Sequence, residues 1–168
     1  WYLADRFFGE TPPPEKAGYL AAVQLTVPDE DAPVAGLLVV QDAAGGDPGV
    51  YLLPPDLLLE GPNGEYVFAA DAMALGDLAV DLGRVVRAPI DAVFTMPVSD
   101  LGRWAGSDVL QIDLDPPAGV SADGGAPLVG DDGTVATADL PRVFAFLGDD
   151  REETVRLQTA VVQAALET

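Results

Sequence analysis

The stretch Tyr51-Leu52-Leu53-Pro54-Pro55-Asp56-Leu57-Leu58-Leu59-Glu60 decides how this chain is read. It is an apolar run broken by two prolines and one carboxylate, and Gly61-Pro62-Asn63-Gly64 closes it. Proline has no N–H to give a sheet ladder, so a strand over Val50 to Leu53 must stop at the double proline. Asp56 then stands at a sheet end, which is where open α/β folds place their ligands. The same Asp also suits the start of a turn or a helix cap after Pro-Pro. Leu53, Leu57, Leu58 and Leu59 either line an apolar pocket or fill an ordinary core.

Working outward, the flanking segments set the class. Tyr19 to Val27 reads as a strand closed by Pro28, followed by an Asp29-Glu30-Asp31 loop. Val34 to Gln41 is nearly all apolar, as expected of a central strand covered on both faces. Ala43 to Gly49 is a Gly/Asp/Pro turn. Downstream, Phe68 to Leu75 reads as a short helix. Asp77 to Val86 carries apolar residues at 78, 79, 82, 85 and 86, one helical face. Asp91 to Met96 is a strand. Ser99 is expected to cap the next helix, with Asp100 in its first turn and Leu101 and Trp104 on its buried side. Val109 to Leu114 alternates like a strand. Pro116 to Gly133 is a long Gly/Pro/Asp loop, Thr137 offers another cap before Arg142 to Leu147, and Glu152 to Leu166 is an amphipathic helix. Strands alternating with helices give an α/β fold, expected to be a three-layer α/β/α sandwich around a mixed, mostly covered sheet.

Composition excludes much. The 168 residues contain no cysteine and no histidine. Disulfides, thiol nucleophiles, His-zinc sites and Ser-His-Asp hydrolysis are therefore impossible. Acidic residues number 28 against 8 basic ones, for a net charge of −20, and Lys16 is the sole lysine. Such a surface repels nucleic-acid phosphates, and it also keeps the protein soluble. The Ala, Gly, Asp and Arg bias fits a GC-rich genome or a salty habitat.

No run reaches the roughly 18–20 apolar residues that span a bilayer. Trp1-Tyr2-Leu3-Ala4-Asp5-Arg6-Phe7-Phe8 mixes aromatics and a base as interfacial segments beside a membrane span do; an amphipathic helix is the alternative. Thr11-Pro12-Pro13-Pro14 is a stiff linker. Residues 1–18 are thus expected to be a juxtamembrane segment and linker after an N-terminal anchor, and residues 19–168 a single domain.

The order of these signals resembles the LytR-CpsA-Psr family of extracytoplasmic cell-envelope proteins. Leu52-Leu53-Pro54-Pro55-Asp56 stands where that family has a Ser-Ile-Pro-Arg-Asp type motif. Ala69 to Gly76 matches its Ala-rich helix, Ala88-Pro89-Ile90-Asp91 through Trp104 its Ile-Asp strand and helix, and Arg156-Leu157-Gln158 its Arg-Gln helix. The resemblance spans roughly residues 19–166. It implies an apolar cavity for a polyprenyl chain, arginines that grip a pyrophosphate, and carboxylates that help to hold Mg2+. The implied reaction moves a glycan from a polyprenyl-pyrophosphate carrier to peptidoglycan.

The departures fall on the charged positions. Pro55 replaces the motif arginine, Pro33-Val34-Ala35 replaces an Arg-x-Asp, and Val143-Phe144-Ala145-Phe146 covers an Arg-x-Arg. Proline and phenylalanine cannot donate to phosphate. The resulting expectation is a degenerate, non-catalytic domain to which no cofactor is assigned. It would bind a polyprenyl-linked lipid or an envelope protein, with Asp56, Arg156, Gln158, Asp29 and Arg151 as a vestigial site. Arg156 also has the i, i+4 spacing for a helix-surface pair with Glu152, and Asp131-Asp132 and Asp149-Asp150 read as solvated loop acids. Two alternatives stand beside this. One is an active phosphotransferase in which at least two of Arg84, Arg87, Arg103, Arg142 and Arg151 converge on Asp56, with Mg2+ as cofactor. The other is an unrelated acidic α/β interaction domain with a different strand order.

Overall fold

The computed structural model describes residues 18–28, 30, 32–44, 47–61, 63–114, 127–146 and 151–167. Strands β1 (Tyr19–Thr26), β2 (Ala35–Gln41) and β3 (Gly49–Leu53) form an antiparallel meander. A later strand, β6 (Ala92–Pro97), joins β1 to give the order β3-β2-β1-β6. Asp91 N–H donates to Leu20 O at 2.8 Å, and Leu20 N–H donates to Asp91 Oδ2 at 2.8 Å. Four residues further along both strands, the Thr95 hydroxyl donates to Gln24 Oε1 at 3.3 Å. The partners advance together, so β1 and β6 are parallel and the sheet is mixed, as the alternation of elements requires.

Between β3 and β6 lie β4 (Leu58–Glu60) and β5 (Tyr66–Phe68), an antiparallel hairpin, then helices α1 (Ala69–Leu75) and α2 (Leu78–Val86). After β6 come α3 (Ser99–Ala105), the hairpin β7 (Val109–Gln111) and β8 (Thr134–Ala136), a 3-10 turn (Thr137–Asp139), α4 (Leu140–Ala145) and α5 (Arg151–Leu166). The described residues group into two compact units. One takes the chain up to Leu25 together with Asp31–Thr95; the other takes Thr26–Glu30 together with Met96–Thr168.

In the first unit, Leu20, Ala22, Leu38 and Leu53 project from one sheet face. They pack with Leu59, with Ala69, Ala72 and Met73 of α1, and with Leu78, Leu82 and Val86 of α2. The Gln24 amide donates to Met73 O at 3.3 Å, fastening α1 to the sheet. Gly36 sits beneath this contact: a Cβ there would lie 3.3 Å from Leu53 and 3.4 Å from the Met73 sulfur. The opposite face is buried too, at Ala21, Val23, Leu25, Ala35 and Leu37. That explains the unbroken apolar run in β2. In the second unit, α5 buries Leu157, Val161, Val162 and Ala165 along one side and carries the polar Thr154 and Gln158 into the same core.

Several sequence expectations are corrected. Ser99 is the first residue of α3, behind Val98 at the cap position, and no side chain caps the helix. Trp104 is half exposed, because Leu101 and Ala105, four residues apart, take the buried seam. Thr137 opens a 3-10 turn, and α4 begins only at Leu140. The alternating stretch after Ser107 pairs only over Val109–Gln111. The β4–β5 hairpin and β8 went unforeseen, since three-residue strands are too short to show a period of two. Among the described residues no helix is long and apolar enough to cross a membrane.

Candidate functional site

The double proline does end β3. Its consequence is a turn in which Leu57 N–H donates to Pro54 O at 3.0 Å. Two further carbonyls of the same segment reach the start of α1. Ala69 N–H donates to Leu57 O and Ala70 N–H to Pro55 O, both at 2.8 Å. The first amides of a helix have no partner within it and are usually met by a Ser or Asp side chain, or by an anion. Phe68, at the cap position, has no such group, and backbone carbonyls of the turn do the work instead. Asp56 sits half-buried within this turn.

The four leucines divide by strand alternation. Leu53 and Leu59 are buried and Leu57 partly so, all packed into the α1/α2 core. Leu58 points from the other side of β4 and is exposed.

The remaining candidates lie on α5, in the second unit. Arg151 is its exposed first residue. Arg156 is exposed and makes no ion pair among the described residues, so the pair with Glu152 does not form. Gln158 is buried, and its Nε2 donates to Val143 O at 3.4 Å, linking α5 to α4. Within Val143-Phe144-Ala145-Phe146, the segment where the resemblance calls for an Arg-x-Arg, Val143 and Phe144 are core residues. Asp29 lies outside the described residues, as do Asp149 and Asp150. Asp56 thus belongs to one unit and Arg151, Arg156 and Gln158 to the other.

Three other arginines are paired locally. Arg84 contacts Asp81 at 2.8 Å, Arg103 contacts Asp100 at 2.9 Å, and Arg142 contacts Asp139 at 2.9 Å, each across an i, i+3 step. Asp81 is itself buried, so the Arg84 guanidinium answers a charge that would otherwise be costly to bury. Arg87 ends α2 in the left-handed region, at φ 53°. Of the acidic pairs, Asp132 is a turn residue of the β7–β8 hairpin. It accepts the Thr134 hydroxyl at 2.6 Å and the Thr134 N–H at 3.2 Å. These bonds, the hydroxyl first, favour the ionised form and hold its pKa below the ordinary 3.8. No three carboxylates gather around a common point among the described residues, so these offer no ready-made cage for a divalent cation.

Sequence reasoning placed Asp56 just past the end of β3 and missed the closure of the α1 start by carbonyls of residues 54–57. Residue identity carries no signal for that, because the groups involved are backbone.

Compared by sequence, the chain matches no protein-family model and no curated protein. Compared by structure, it is similar to TagT of B. subtilis, with 17% identity over 94% of this chain and 67% of that one, and a TM-score of 0.65. It is similar to a LytR-CPS2A-psr family protein, YwtF (TagT), described with bound octaprenyl pyrophosphate lipid (16% identity, 94% and 67% covered, TM-score 0.62). It also resembles protein gbs0355 from Streptococcus agalactiae (16% identity, 89% and 60% covered, TM-score 0.63). The chain spans about two thirds of the length of these proteins or somewhat less. It has the LytR-CpsA-Psr fold, and the alternative of an unrelated α/β topology is overturned.

Proposed function

We propose that this chain is a cell-envelope domain of the LytR-CpsA-Psr kind that binds the isoprenoid part of a lipid-linked carrier and transfers nothing. The observation that carries this reading is the end of β3. Pro55 occupies the place of the motif arginine, and its carbonyl takes an amide at the start of α1 that an anion would need. Arg84, Arg103 and Arg142 each meet a helix-proximal Asp three residues earlier. Phosphoryl transfer is almost wholly positioning and charge stabilisation, so a site without converging cations lacks the means for it.

The apolar half of the site is better supplied. Leu57, Tyr51, Val40 and Ile90, all partly buried, border the packed core of Leu53, Leu59, Ala69, Ala72, Met73, Leu78 and Leu82. Small and flexible side chains of this kind suit an aliphatic ligand, and each buried methylene contributes about 0.8 kcal/mol. A structural neighbour described with octaprenyl pyrophosphate supports the ligand class.

The test has two arms. Octaprenyl phosphate is expected to raise the melting temperature of the purified domain. Incubation with a lipid-linked glycan and peptidoglycan is expected to give no transfer product, and product formation would end the non-catalytic reading. The active alternative draws on Arg156, exposed without an ion pair among the described residues; it requires Asp56→Asn and Arg156→Ala each to abolish that product.

A further inference from the structure

The β4–β5 hairpin has two unlike sides. Leu59 and Val67, cross-strand partners, turn inward to the core. Leu58 and Phe68, also directly paired, turn outward and stay 53% and 49% exposed. Tyr66, paired with Glu60 on the same side, is 72% exposed. Phe68 then opens α1, whose exposed stripe carries Asp71 and, four residues on, Leu75 at 76% exposure. Large apolar side chains and carboxylates are thus exposed both on the outer face of the hairpin and on α1, which follows it directly. Single exposed apolar residues need no explanation, but Leu58, Tyr66 and Phe68 share one face of one hairpin, and such a group marks an interaction surface.

The charge of the first unit's sequence selects the occupant. Between Lys16 and Arg84 the chain carries no basic residue, while eleven acidic residues lie in that interval. An anionic bilayer is repelled by such a segment, and so is a second copy of the same chain. A basic amphipathic segment is attracted, and its aliphatic groups have Leu58, Tyr66 and Phe68 to cover.

We propose that the outer face of the β4–β5 hairpin and the adjoining stripe of α1 dock a basic, amphipathic peptide segment of a partner protein. Its apolar side chains pack on Leu58, Tyr66, Phe68 and Leu75, and its lysines or arginines meet Glu60 and Asp71. This surface lies on the outer side of β4, so the proposal stands whether or not the domain holds an isoprenoid.

The test is fluorescence anisotropy with a labelled Leu/Lys peptide of helical periodicity, and a Lys/Ser peptide of equal charge as control. The intact domain is expected to bind the Leu/Lys peptide at least about tenfold tighter than the control. Leu58→Ser with Phe68→Ser should remove that difference, with an unchanged melting temperature showing that the fold persists. Glu60→Gln with Asp71→Asn should flatten the dependence on salt, because two screened charge contacts are gone. If the double serine variant binds the Leu/Lys peptide as the intact domain does, attraction is merely general and the proposal is overturned. It is overturned equally if Leu58 and Phe68 are needed for concentration-dependent self-association, or for pelleting with zwitterionic vesicles, while peptide binding ignores them.

Discussion

The β3–α1 junction of the first unit and the α4–α5 pair of the second satisfy their polar groups in opposite ways. At the junction backbone carbonyls close the turn: Pro54 O, Pro55 O and Leu57 O receive the amides of Leu57, Ala70 and Ala69. In the helix pair a side chain does it, the buried Gln158 reaching Val143 O. At both places hydrogen-bonding capacity is used internally.

The comparison breaks first if the junction is not a packed core. Leu59→Ala removes a fully buried side chain, so chemical denaturation should show a loss of about 2–5 kcal/mol. A cost below about 1 kcal/mol would mean that residues 53–59 enclose space rather than fill it. The helix pair is probed by Gln158. Gln158→Ala is expected to cost about 1–3 kcal/mol, from a cavity and an unmet carbonyl, and Gln158→Met to cost less because volume is kept. Loss of lipid binding with unchanged stability would instead make Gln158 a ligand contact.

How much of this was legible in the sequence depends on the kind of group. The unbroken apolar run of β2, the double proline ending β3 and the apolar repeat of α5 all point to the observed elements. The buried face of α5, however, also includes Thr154 and Gln158, which a hydrophobic pattern cannot display. Asp81 is hidden in the same way, and only Arg84 three residues later hints at its burial. Trp104 misleads from the other side: size argues for core, but a seven-residue helix has room for one seam, and Leu101 and Ala105 fill it. For the candidate site, the double proline that ends β3 is readable directly, whereas carbonyl capping of α1 is not written in any side chain.

Smaller effects sharpen the contrast. Restoring a donor with Pro55→Arg should raise affinity for a pyrophosphate lipid by about tenfold in isothermal titration; no gain at all would show that Pro55 does not face the phosphate position. Smaller still is the Asp132 contribution. Its folded pKa lies below the ordinary carboxylate value of 3.8, so its stabilisation is complete above that value and is lost as pH falls through the folded pKa. Carbon-detected NMR titration should place the Asp132 midpoint below 3.8, and Thr134→Val should raise it.

The most direct measurement compares octaprenyl pyrophosphate with octaprenol for binding to the intact domain. Recognition through the chain alone predicts affinities within about threefold of each other. A pyrophosphate preference of about a hundredfold, lost in Arg156→Ala, would contradict it, because a working phosphate clamp would then exist in a protein read as having none.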